Sequence, residues 1–156
     1  MSDEEELRQV CIRLLNEAWP VYLTTIDRDG FPQTRAMFNL RNGEKFPKLK
    51  SLFSNHKDEF YVIFSTNTSS TKTEDIKTNP KASAYYCLPD EWRGVMIGGT
   101  LEIEADVGIK QAIWHDGWEK YYPSGYDDPD HTVLRFHGRI TRGWNQSKTF
   151  RIKIGD

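Results

Sequence analysis

The sequence has only two cysteines, Cys11 and Cys87, both among apolar neighbours. Two do not make a disulfide framework, and they suit reduced, buried thiols in a cytoplasmic protein. No apolar run approaches the ~18 residues of a membrane-spanning helix. The opening Ser2-Asp3-Glu4-Glu5-Glu6 is acidic where a secretory signal begins basic. Neither sign of charge dominates: 21 Lys and Arg stand against 23 Asp and Glu, a net charge of −2. That balance argues against dedicated nucleic-acid binding. Phosphate-loop glycines are missing, so a P-loop nucleotide site is not expected. Neither a Gly-x-Ser-x-Gly segment nor a Cys–His nucleophile context is present, so covalent hydrolysis has no support. His56, His115, His131 and His137 show no metal-ligand spacing, and Asp127-Asp128-x-Asp130 lacks the glycine and terminal glutamate of a calcium loop. Those aspartates read as turn chemistry.

Aromatic residues are plentiful. Phe, Tyr and Trp make up 13% of the chain, within a hydrophobic share of only 37%. Large rings bury much area each, so a core can be built from few residues. The 156 residues suit one domain, 1–156, whose interior a partner chain or cofactor would complete.

The hydrophobic period predicts the elements. Ser2-x-x-Glu5 is a capping box, and Leu7, Val10, Cys11, Leu14, Leu15 and Ala18 follow at helical spacing, so residues 3–18 form a helix that stops near Trp19-Pro20. Val21–Ile26 and Phe31–Leu40 alternate with period two around an Asp27–Gly30 turn and read as a hairpin. Residues 41–59 are loop with a short helix or turn. Phe60–Thr66 is a strand, Thr71–Thr78 a helix with Thr71-x-x-Glu74 as its capping box, and Ala82–Leu88 a strand. Val95–Ala105 alternates clearly, and its Gly98-Gly99 pair suggests a bulge or a close backbone approach. Residues 107–121 read as helix with a break at Gly117; Val133–Ile140 and Phe150–Ile154 read as the last strands. Short connections favour an antiparallel sheet, so the expected fold is mainly β (α+β): a small antiparallel barrel with flanking helices.

Three features could carry chemistry. The stretch from Ser65 to Lys72 leaves a strand, offers hydroxyls and a lysine, and opens a helix, an arrangement that suits an anion. The same residues would also make an ordinary polar loop with a helix cap. Arg35, in mid-strand, would either face solvent or anchor a phosphate or carboxylate. Residues 135–153 carry six cations and no acid, which fits either a solvated sheet face or a surface for an anionic partner.

Four blocks in order resemble the pyridoxamine 5'-phosphate oxidase-like flavoproteins, in the branch named after general stress protein 26. They are Tyr22 to Met37; Ile63-Phe-Ser-Thr66 with Ser70-x-Lys72 and Asn79-Pro-Lys-Ala82; Trp92-x-Gly94 with Gly98-x-Thr100; and Trp118-x-x-Tyr-Tyr-Pro-x-Gly125 with Asp128-Pro129-Asp130. The similarity runs from about residue 7 to 137. It implies that the barrel is an antiparallel Greek-key split β-barrel that binds FMN and acts as a homodimer, with the flavins at the interface and a small molecule as substrate or electron donor. By position, Arg35, Ala36 and Met37 would lie along the flavin and its ribityl phosphate, followed by Ser65 and Thr66. Ser70 and Lys72 would hold the phosphate. Trp92, Met96, Ile97, Gly98 and Trp118 would approach from the partner chain. No catalytic acid or base is assigned. The Arg-Leu-Pro-x-Arg type C-terminal segment of true pyridoxamine phosphate oxidases is missing, which argues against that activity, and Gly143–Lys148 also departs from the stress-protein branch. The resemblance leaves three readings: an FMN-dependent oxidoreductase, a non-catalytic flavin sensor or carrier, and a deazaflavin- or haem-using relative.

Overall fold

A computed structural model describes residues 2–154. The N-terminal helix, α1 (Asp3–Glu17), opens on the expected capping box: the Glu5 N–H donates to Ser2 Oγ, and the Ser2 N–H donates to the Glu5 carboxylate. Its far end has no glycine cap. The Asn39 side-chain amide donates to the Leu15 and Ala18 carbonyls, both at 2.8 Å, and Asn42 donates to Glu17 O at 3.2 Å. Two buried asparagines distant in sequence thus satisfy the orphan carbonyls of the last turn.

The hairpin forms as β1 (Val21–Ile26) and β2 (Pro32–Met37). Asp27 organises its turn by accepting the Asp29 and Phe31 N–H groups at 2.9 Å, while Gly30 takes a φ of +86° that most side chains resist. The segment 41–59 holds one 3-10 turn and the short α2 (Lys50–Ser54). Then follow β3 (Val62–Asn67), α3 (Thr71–Thr78), β4 (Lys81–Leu88), β5 (Arg93–Ile103), α4 (Val107–Ala112), β6 (His131–Asn145) and β7 (Lys148–Lys153). All strand pairings are antiparallel, in the order β2-β1-β4-β5-β6-β3, with β7 also on β6. This is the mainly antiparallel split barrel with flanking helices that the sequence predicts.

Three expectations need correction. Residues 107–121 are not one helix: α4 ends at Ala112, and after Gly117 (φ +98°) only a single 3-10 turn, Trp118–Lys120, forms. Thr71 and Glu74 do not form a capping box. The N-cap is Ser70, whose hydroxyl meets Thr73 Oγ1, while Glu74 pairs with Lys77. The last strands are also longer than predicted, and residues 143–148 join them as a hairpin through Gln146 (φ +58°).

The Gly98-Gly99 expectation is met. The β5–β6 register shifts there, with Gly98 opposite Ile140 and Gly99 opposite Gly138, so Arg139 is the extra residue. At this point β6 changes its second neighbour, pairing with β3 over 131–136 and with β7 over 140–145. A Cβ on Gly99 would fall 2.0 Å from the His137 carbonyl oxygen. Gly99→Ala is therefore expected to cost about 2 kcal/mol in chemical denaturation, since overfilled packing forces the backbone apart.

Two apolar cores result. The barrel interior is closed by α1 through Cys11, Leu14, Leu15 and Ala18 against Leu23, Val62, Phe64, Ile97 and Leu134. Burial there pushes the Cys11 thiol up to about 12, so it stays protonated. A second, ring-rich core lies on the other side of β3 and β6. It gathers Phe46 and Phe53 from the 41–59 segment, Tyr61 and Ile63 from β3 and the residue before it, and Trp118 and Tyr122 from the stretch after α4.

Candidate functional site

Alternation along β3 decides which residues reach the site. Val62 and Phe64 enter the barrel core, while Tyr61 and Ile63 enter the ring-rich core. Ser65 follows the second set. Where β3 ends, the chain turns at once into α3. That turn is held from across the sheet: the Asp130 carboxylate accepts Asn67 Nδ2 at 2.7 Å and the Ser69 N–H at 2.8 Å, and Thr68 N–H donates to the Asp130 carbonyl at 2.7 Å. These donors, Asn67 first, hold the Asp130 carboxyl below the usual carboxylate range. The aspartates read as turn chemistry thus also fix the loop that precedes α3.

A cavity of about 270 Å³ opens between this turn, β2 and the 3-10 turn at Trp118. Ala36, Met37, Phe38, Ser65, Thr66, Asn67, Lys72, Trp118, Tyr121 and Tyr122 line it. Its aromatic wall is ordered: Trp19 stacks on Phe38 at 5.8 Å and Phe38 on Trp118 at 6.3 Å between centroids. A larger open groove, about 580 Å³, runs along α1, but its Arg13 is already paired with Glu17 and with Glu91 beside it.

Arg35 pairs across from Leu23 and so lies on the core side of its sheet, half-buried rather than in solvent. Its Nη1 donates to Thr25 Oγ1 at 2.8 Å and to the Gln33 carbonyl at 2.9 Å, both neutral acceptors. Burial lowers its pKa, and Asp75 opposes that shift. Lys72, at the start of α3, is also half-buried. Burial lowers its pKa, and the neighbouring Arg35 lowers it further. Among the described residues Lys72 has no ion pair and no hydrogen bond. Lys72 thus lines the cavity with Arg35 beside it, and no carboxylate among the described residues forms an ion pair with either.

Of the predicted site residues, Ala36, Met37, Ser65, Thr66, Lys72 and Trp118 meet in this cavity, and Arg35 and Ser70 flank it through Lys72 and α3. Trp118 was expected from a partner chain, but it lines the cavity of its own chain and is only 4% exposed. Ile97 is fully buried in the barrel core, because its side chain points inward at the middle of β5. Met96 and Gly98 lie on the opposite face of β5. Trp92 is 67% exposed and borders a separate hollow with Tyr85, Cys87 and Trp144. Sequence reasoning missed Phe38, Tyr121 and Tyr122 as cavity residues, had Asn67 only within the Ser65–Lys72 stretch, and missed His131 behind them. His131 pairs in register with Asn67, so only the β3–β6 pairing brings it to the site.

Residues 49–155 match the sequence family described as "Pyridoxamine 5'-phosphate oxidase like". The chain belongs to this family. A protein from Clostridium acetobutylicum related to general stress protein 26 of B. subtilis is 31% identical, with a TM-score of 0.76 over 96% of both chains. The general stress protein 26 from Bacillus anthracis is 17% identical, with a TM-score of 0.69 over 94% of this chain and 99% of its own. A haem-binding protein from Mycobacterium smegmatis shares the fold at 14% identity and a TM-score of 0.64, over 98% of this chain and 58% of its own. None of the curated proteins matches the chain. No helix among the described residues is long and apolar enough to cross a membrane.

Proposed function

We propose that the chain binds FMN in this cavity, works as a homodimer, and acts as an FMN-dependent oxidoreductase on a small molecule. One observation carries the reading: Lys72 lines a cavity walled by aromatic rings with Arg35 beside it, both half-buried and neither in an ion pair with a carboxylate among the described residues. A terminal phosphate supplies the missing charge, and a planar ring suits the wall of Phe38, Trp118, Tyr121 and Tyr122. Lys72 and Arg35 would hold the phosphate with Ser70 and the first turn of α3, whose N–H groups receive no side-chain cap. Ala36, Met37, Ser65 and Thr66 would flank the remainder. When bound, the flavin would supply the electron transfer, while the protein binds it, orients it and excludes water.

Two features support the homodimer. The cavity is small for a cofactor of this size, so a second chain would close it. The register also places Ala36, Tyr22, Tyr85 and Met96 in one row on one sheet face, where Tyr22 and Ile140 are exposed. Met96, Gly98 and Trp92 would serve the partner's cavity from that face. Ile97 and Trp118 would not.

The purified protein, as isolated or after FMN is added, is expected to show flavin absorbance and to elute as a dimer. Failure to take up FMN overturns the reading. Reduction by NADPH or NADH faster than that of free flavin identifies an enzyme, and no acceleration leaves a carrier. A haem spectrum would favour the haem-using alternative, although both ring nitrogens of His131 are already hydrogen-bonded and it is poorly placed as an axial ligand.

A further inference from the structure

His131 is fully buried, and its ring packs against Tyr122, Trp114 and Trp118 at centroid distances of 4.6, 5.7 and 6.2 Å. Its Nδ1 lies 2.7 Å from the Tyr126 carbonyl oxygen and its Nε2 lies 3.0 Å from Ser65 Oγ. A carbonyl can only accept, so in the neutral ring Nδ1 carries the proton and Nε2 must accept. That commits the single hydroxyl proton of Ser65 to Nε2. The donors therefore run in one direction, from Ser65 to His131 to the Tyr126 carbonyl. Ser65 lines the cavity and offers it only lone pairs.

We propose that His131 is a positioning residue that fixes Ser65 as a hydrogen-bond acceptor toward the cavity, so that the bound ring is one that presents an N–H or O–H donor at this wall. The proposal deepens the FMN reading and rests on it for the identity of the ring, whose imide N–H is of the selected class. Protonation of His131 would reverse the arrangement: Nε2–H would donate to Ser65 and release the Ser65 proton toward the cavity. The groups that bear on this are Asp128, which favours the charged ring, Lys110, which opposes it, the Tyr122 phenol, Ser65 and the Tyr126 carbonyl. Burial outweighs the rest and keeps the ring neutral to lower pH than an exposed histidine.

Nitrogen-detected NMR of the unliganded protein is expected to show His131 as the Nδ1–H tautomer, and the Nε2–H tautomer overturns the proposal. In FMN titrations, Ser65→Ala and His131→Phe, which keeps an aromatic ring, are each expected to weaken binding about tenfold, the worth of one hydrogen bond. The double variant should bind no more weakly than Ser65→Ala, because His131 acts through Ser65. Full additivity, or no loss in either single variant, overturns the proposal. Wild-type affinity should fall as the pH drops through the His131 titration, more steeply than in His131→Phe, which shares any titration of the FMN phosphate. If the wild type binds no FMN, the flavin reading fails, while the tautomer still decides the sense of Ser65.

Discussion

Replacing Arg35 and Lys72 together with alanine is expected to weaken FMN binding by about a thousandfold, because each removes a charge-assisted hydrogen-bond donor from one phosphate. The affinity for riboflavin, which lacks the phosphate, should hardly change. Comparing the two ligands at constant ionic strength separates loss of the charged contact from collapse of the cavity. The unliganded protein should respond in the opposite sense. Lys72 has its pKa lowered in the folded chain by burial and by Arg35, so its charged form is disfavoured by folding at neutral pH. Lys72→Met, which keeps the apolar stem, is therefore expected to leave the unliganded protein at least as stable as the wild type while weakening FMN binding. A double variant that binds FMN like the wild type would sink the assignment of this pair to the phosphate.

The other large effect concerns stability alone. The Arg41 side chain is 8% exposed, yet no carboxylate contacts it. Its five N–H groups are instead distributed over Asn16 Oδ1 and the carbonyls of His56, Lys57, Glu59 and Tyr61 at 2.6–3.2 Å. One guanidinium thereby ties α1, the chain before β3, and β3's entry to the loop after β2. Arg41→Ala would leave four carbonyls without their donor, at a cost of about 4 kcal/mol, or a melting point about 10 °C lower. Arg41→Lys should recover little, since an ammonium has three donors and no planar fork. Denaturant titration of both variants checks this; a loss below ~1 kcal/mol would show that water satisfies those carbonyls instead. The residue lies in the stretch 41–59, where composition suggests only a polar loop. What makes it structural is the convergence of carbonyls, which no local pattern records.

The same contrast runs through the site. Arg35, Ser65 and Lys72 were legible because the hairpin alternation and the strand–helix junction are local, and the first two resemblance blocks fall on them. Phe38 was legible only as a strand residue, since its place in the stack between Trp19 and Trp118 depends on the turn at Gly117. His131 carried no signal beyond its neighbourhood to Asp130. Its partner Ser65 lies 66 residues earlier, and its tautomer follows from a carbonyl in the preceding loop.

The low aliphatic content, the lack of a signal for metal or covalent chemistry, the helix with its capping box, the alternating strands and the glycine pair at the bulge all follow from the sequence by itself, because each depends on residues within a few positions of one another. The sense of the site did not. Whether Arg35 faces solvent or a neighbouring lysine, whether Trp118 serves its own chain, and which way the Ser65 hydroxyl points are decided by strand pairing and by the packing of a second, ring-rich core. Charges and hydrogen-bond donors act on whatever lies within a few ångströms, and only the tertiary structure says what that is.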